Sequence, residues 1–133
     1  MIEKYYLNCD ELPTLPTPHD CPIVEIKCVN DFLIFQFAKD LSLYDSIRFK
    51  YPKVKSLTIK FHLTEPEVYS YIWKRRLFGR GYELVDNKKI IRKHNNLDYL
   101  YQYISYESLI IKMYKNRDIF IEFSCDYVEY EWI

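Results

Sequence analysis

Alternation of apolar and polar residues with a period of two runs through much of this chain, and it predicts strands. Val24, Ile26 and Cys28 fall on one side of a segment whose other side holds Glu25 and Lys27. Val29-Asn30-Asp31 is a turn signal, and the FLIFQFA run from Phe32 to Ala38 is nearly all apolar, as a strand covered on both faces is. Alternation is clearest in the segment 54–63, where Leu57, Ile59, Phe61 and Leu63 interleave with Thr58, Lys60 and His62. Two more strands are expected from Leu109 to Tyr114 and from Asp118 to Cys125, joined by a Lys115-Asn116-Arg117 turn. The tail sets Val128, Tyr130 and Trp132 against Glu129 and Glu131. Weaker strand signals lie at Glu3–Asn8 and Ser46–Tyr51.

Two stretches break this rhythm and read as helices. Thr64-Glu65-Pro66-Glu67 fits a capping box, with proline tolerated in a first turn. Tyr69, Ile72, Trp73 and Leu77 follow at helical spacing, Lys74, Arg75 and Arg76 suit a negative helix end, and Gly79 suits a left-handed cap. The second helix is expected after Asn95 or Asn96, where Leu97, Leu100, Tyr101 and Ile104 form a stripe, with Tyr99 and Tyr103 off it and facing solvent. Between the two, Gly81 to Lys93 reads as a hairpin turning at Asp86-Asn87, with Ile90-Ile91 in its second arm. Pro13, Pro16, Pro18 and Pro22 make residues 9–22 an extended surface connection.

Composition supports a sheet. Fourteen tyrosines and eight phenylalanines favour pleated, half-buried surfaces, and only two glycines leave little material for phosphate-cradling loops. Net charge is zero but segregated. Residues 1–47 carry three Lys/Arg and eight Asp/Glu, residues 48–93 thirteen and four, and residues 94–133 three and seven. A basic middle between acidic ends either faces an anionic partner or pairs within the fold.

Specific chemistry is not written in the chain. Cys9, Cys21, Cys28 and Cys125 contain no close pair of the kind that binds zinc, so no metal and no cofactor are expected. Cys28 reads as a small core residue. His19-Asp20-Cys21 has the residue types of a nucleophilic site, but adjacent side chains diverge, and the stretch reads as a polar loop. His62 falls on the wet side of its strand and reads as surface. No secretory signal and no apolar run near the ~20 residues of a membrane span is present, so a cytoplasmic protein with reduced thiols is expected.

The expected fold is therefore α+β: one domain over 1–133, a mainly antiparallel sheet of about six to seven strands with two helices packed on one face. The expected function is non-enzymatic binding of a partner protein, in the general style of small bacterial inhibitor and immunity proteins, though no motif identifies a family. Lys74, Arg75, Arg80, Tyr71 and Tyr82 are the expected contact residues, because Tyr, Trp and Arg anchor interfaces. Arg80 stands out between the chain's two glycines. The alternative is nucleic-acid binding through the basic segment 48–93 with its interleaved tyrosines.

Overall fold

A computed structural model describes residues 1–77, 79–87 and 93–133, with backbone alone for residues 75, 76 and 93–95. Eight strands make one antiparallel sheet: β1 (Ile2–Tyr6), β2 (Pro22–Val29), β3 (Phe32–Phe37), β4 (Leu57–Arg76), β5 (Gly79–Val85), β6 (Lys93–Ser105), β7 (Ser108–Tyr114) and β8 (Asp118–Trp132). The pairings run β4–β8–β7–β6–β2–β3 and return to β4, so six strands close into a barrel. The two long strands hold it together. The edge of β4 away from β8 pairs first with β3, at Thr58–His62, and then with β5, at Ser70–Arg76. The edge of β8 away from β4 pairs with β7 and then with β1. Among the described residues the helical content is a 3-10 turn at Leu41–Leu43 and one turn, α1, at Asp45–Arg48.

The α+β expectation is thus wrong: among the described residues the two expected helices are strands of the sheet. The stretch read as the first helix is the second half of β4, and the stretch read as the second helix is β6. Both misreadings have the same physical origin, a β-bulge that shifts the phase of a period-two pattern. In β4, Leu63 stands opposite Cys125 and Val68 opposite Phe123, so five steps of one strand match two of the other. The extra residues fall at Thr64–Glu67, all exposed, where a proline without an N–H disrupts no ladder. What resembled a capping box is this outward fold of the chain. Beyond it Val68 and Ser70 point inward and Tyr69 outward, and Leu77, expected on a buried helical face, is 90% exposed.

In β6, Tyr99 faces Met113 and Tyr101 faces Lys112, leaving Leu100 as the extra residue. Leu97 and Tyr99 are buried before the bulge and Gln102 after it, while Tyr101 and Tyr103 are exposed. One inserted residue converts alternation into seven-residue spacing between Leu97 and Ile104, which is also a helical spacing. Tyr99, expected at the surface, is fully buried as a result.

In β3, β7 and the first half of β4 the alternation holds, whereas in β2 a register shift between Ile23 and Glu25 buries Ile23 with Ile26 and leaves Val24 half-buried. Leu33, Phe35 and Phe37 meet Leu57, Ile59 and Phe61 inside the barrel, joined by Leu109, Ile111, Met113, Ile121, Phe123, Val128 and Tyr130. Phe61 packs edge-on against Phe35 at 5.5 Å and at an inclined angle to Phe123 at 5.0 Å. Each such side chain contributes ~1.5–3 kcal/mol through burial. The strand expected at Ser46–Tyr51 is instead α1 and the segment after it, with Ile47 buried. Cys28 lies opposite Leu33 but close to the hairpin tip, so it is exposed rather than in the core. Of the hairpin expected at 81–93, the first arm is β5, while Ile90-Ile91 lie outside the described residues.

The proline-rich connection does more than cover the surface. Leu15 and Pro18 are buried, and two side chains of the barrel wall hold the segment through three hydrogen bonds. Tyr130 Oη donates to the Pro16 carbonyl at 2.8 Å. Gln102 Nε2 donates to the Leu15 carbonyl at 3.2 Å and to Thr17 Oγ1 at 2.8 Å, and its Oε1 accepts from Tyr99 Oη at 2.7 Å. A proline-rich chain has spare carbonyls and few N–H groups, so it suits a wall that offers donors.

Candidate partner-binding face

The bulge in β4 sets Tyr69, Tyr71 and Trp73 on the outside of the barrel, and ladder register extends their rows across the sheet. One row runs Leu84, Tyr71, Phe120, Lys112, Tyr101 across β5, β4, β8, β7 and β6. The next runs Tyr69, Glu122, Ile110, Tyr103. Tyr69, Tyr82, Leu84, Tyr101 and Tyr103 are exposed large side chains on this one face. The rings support one another: Trp73 to Tyr82 at 4.7 Å, Tyr82 to Phe120 at 5.1 Å, and Tyr101 to Tyr103 at 5.4 Å. Lys112 Nζ lies 5.9 Å from the centre of the Phe120 ring. Five adjacent strands make a face about 20 Å wide.

Charges on this face are mixed. Glu122 sits within it and, with burial as the larger cause, raises the pKa of the Tyr71 phenol. Of the residues expected to contact a partner, Tyr71, Arg80 and Tyr82 share the face. Lys74 does not: it lies on the reverse of the β4–β5 ribbon, 3.2 Å from Glu83. Arg75 stands opposite Arg80 in the ladder. Tyr69, Trp73, Leu84, Tyr101, Tyr103, Lys112 and Phe120 complete the face and are not among the contact residues expected from sequence. The period-two run Tyr69, Tyr71, Trp73 was a signal for them, obscured by the helical reading.

At the end of the ribbon, Trp73, Lys74, Arg80, Asn116 and Arg117 line a groove of about 500 Å³. Gly79 precedes it with φ of 144°, a conformation L side chains rarely adopt, although a Cβ there would meet nothing within 4 Å. The glycine therefore serves backbone direction, not space. Asn116, at φ of 64°, shapes the β7–β8 turn from which Arg117 projects.

Other candidate chemistry does not assemble. Burial raises the Cys21 thiol to about 11 and the Cys125 thiol to about 12, so both stay protonated at neutral pH. His19 Nδ1 lies 2.7 Å from the Leu100 carbonyl, and Cys21 Sγ 3.8 Å from Ser46 Oγ. His62 is half-buried, with Nδ1 2.7 Å from Asp126 Oδ1 and its ring stacked on Tyr127 at 4.7 Å. It belongs to a second outer row, Tyr6, Tyr127, His62, Phe32, at the other end of the barrel. Among the described residues no group of three or more His, Cys, Asp or Glu is placed to hold a metal ion. No described helix is long and apolar enough to cross a membrane.

The basic segment does not form one described patch. Lys60 stands opposite Glu129, itself opposite Lys4, and Lys74 is paired with Glu83. Lys88, Lys89 and Arg92 lie outside the described residues. Comparison with protein-family models, with curated proteins and with solved structures gives no match.

Proposed function

We propose that this chain is a non-enzymatic binding protein of the cytosol that docks a partner protein on the outer face of β5, β4, β8, β7 and β6, covering its partner as inhibitors and immunity proteins do. The observation that carries the reading is the pair of cross-strand rows described above: exposed Tyr and Leu side chains, rigidly supported, around half-buried Tyr71 and Phe120. Aromatic side chains offer large contact area for little lost entropy, which is why they dominate interface energetics. Glu122 within the rows disfavours a run of phosphates and suits a partner of mixed charge.

A Leu84→Ser/Tyr101→Ala/Tyr103→Ala variant tests this. The parent chain should recover one stoichiometric protein from its source cells, and the variant should lose it while unfolding at the same urea concentration. Capture that survives the triple change refutes this face as the docking surface.

Nucleic-acid binding is the second reading, favoured by Arg80 and Arg117 beside the half-buried Trp73 ring and by Lys112 beside that of Phe120. It requires binding of an oligothymidylate that weakens steeply as salt rises. Absence of binding at low salt removes it.

A further inference from the structure

We propose that the groove between the β4–β5 ribbon and the β7–β8 turn receives an acidic segment of the partner, its carboxylates held by Arg80 and Arg117 against the Trp73 ring. This deepens the reading of the outer face as a protein-docking surface and rests on it.

Three observations lead here. Trp73, Lys74, Arg80, Asn116 and Arg117 are drawn from two separate elements, and no carboxylate is among them. The nearest ribbon carboxylate, Glu83, is already engaged by Lys74 at 3.2 Å. Neither Arg80 nor Arg117 has an ion-pair partner among the described residues, and both are exposed. Arg80 and Arg117 thus bring two positive charges, without an ion-pair partner among the described residues, to the end of the aromatic face.

The chemistry of the lining selects the occupant. A guanidinium presents a planar fork of donors that matches a carboxylate in two parallel hydrogen bonds. Two forks on opposite walls suit two acidic side chains, and the Asn116 amide adds a neutral donor. The Trp73 indole supplies an apolar floor for their methylene stems and for a neighbouring backbone. A nucleic acid running from the groove along the aromatic rows would bring phosphates to Glu122, opposite Tyr69, which a peptide with spaced carboxylates avoids.

The test is a fluorescence titration of the full chain with a capped hexaglutamate peptide at low ionic strength. Trp73 reports from the groove, whereas Trp132 is buried and stacked on Tyr51 at 3.9 Å. A saturable change is expected in the parent and none in Trp73→Phe. Arg80→Glu/Arg117→Glu should weaken binding about tenfold or more, while Lys4→Glu/Lys39→Glu, with the same change in net charge, leaves it intact. No saturable change in the parent, equal binding by both charge variants, or tighter binding of an oligothymidylate of equal charge overturns the proposal. Partner capture kept by Arg80→Glu/Arg117→Glu but lost by Leu84→Ser/Tyr101→Ala/Tyr103→Ala overturns the groove alone. Capture kept by the latter variant overturns the docking face itself.

Discussion

Tyr51 donates its phenolic hydrogen to Glu3 Oε1 at 2.6 Å, across 48 positions of chain. Tyr5 donates to the other carboxylate oxygen at 2.7 Å, and the Tyr51 ring stacks on Trp132 at 3.9 Å with 16° between planes. One carboxylate thus ties β1 to the segment after α1, and the ring above it ties both to β8. Removing the Tyr51 hydroxyl in Tyr51→Phe should lower unfolding stability by ~1 kcal/mol, since the bond has a charged acceptor but is only part-buried. Urea denaturation measures this, and an unchanged midpoint would show that water replaces the bond.

The same cluster sets a pH dependence at both ends of the scale. Burial pushes the Glu3 carboxyl up, but the bonds from Tyr51 and Tyr5 outweigh it and hold the group below its ordinary 4.5. A carboxylate depressed in the fold contributes stability above its unfolded value, and that contribution disappears as pH falls through the folded value. The urea midpoint should therefore drop as pH falls below about 4.5, and Glu3→Gln should blunt the drop. Parallel acid profiles for the two proteins refute this. At the alkaline end, burial and the bond to Glu3 push Tyr5 up to about 12. A phenol raised in the fold contributes stability that is full below its unfolded value and is lost as pH rises through the folded one. Phenolate absorbance of Tyr5 should appear together with unfolding, not before it.

Gln102 is a structural hub. It is buried, and its amide serves Tyr99, Leu15 and Thr17 at once. Gln102→Ala strands a buried tyrosine hydroxyl and loosens the proline-rich connection, which should cost ~2–3 kcal/mol and open residues 9–22 to limited proteolysis. Loss of stability without new cleavage would mean that the remaining ties, from Tyr130 to Pro16 and from His19 to Leu100, are enough to hold residues 9–22.

Deleting Leu100 offers a direct test of the bulge. Without it, Leu97, Tyr99, Gln102 and Ile104 fall into simple alternation, and Tyr101 and Tyr103 stay outside. The deletion should retain a β-type circular dichroism spectrum and lose ~1–3 kcal/mol, chiefly from the bulge's own contacts. On a helix the same deletion would rotate the following residues by about 100° and scatter the buried set.

Exposed members of the aromatic face should be separable from folding. Tyr103→Lys should shift stability by less than ~0.5 kcal/mol, because the ring is half in water. A larger loss would indicate that Tyr103 serves the fold through Tyr101 rather than a partner.

The barrel was legible in sequence where alternation is unbroken. Phe32–Phe37, Leu57–Phe61, Ser108–Tyr114 and the two halves of β8 each show their inward set directly. It was illegible at Leu63–Val68 and at Leu100, because a bulge is specified by cross-strand register and not by the residues that form it. Helical propensity did not correct the error. Glu, Lys, Arg and Leu in 64–79 favour a helix locally, and pairing with β8 as far as Ile72 and with β5 as far as Arg76 overrides them. The grouping of the expected contact residues suffered with the fold: Tyr71, Arg80 and Tyr82 share one face, whereas strand alternation turns Lys74 to the reverse of the ribbon. Tyr101 and Tyr103 join them only through β7 and β8, a relation no local pattern contains.

The pairing of β8 with β1, β4 and β7 has a consequence for synthesis. During translation, β1, β4 and β7 all leave the ribosome before their shared partner exists. For that interval the inward face of β4 and the edges of three strands have nothing to close on. Folding of this chain is therefore postponed until residues 118–132 emerge, and the acidic outward positions Glu122, Glu129 and Glu131 on that strand keep the late arrival soluble while it finds its place.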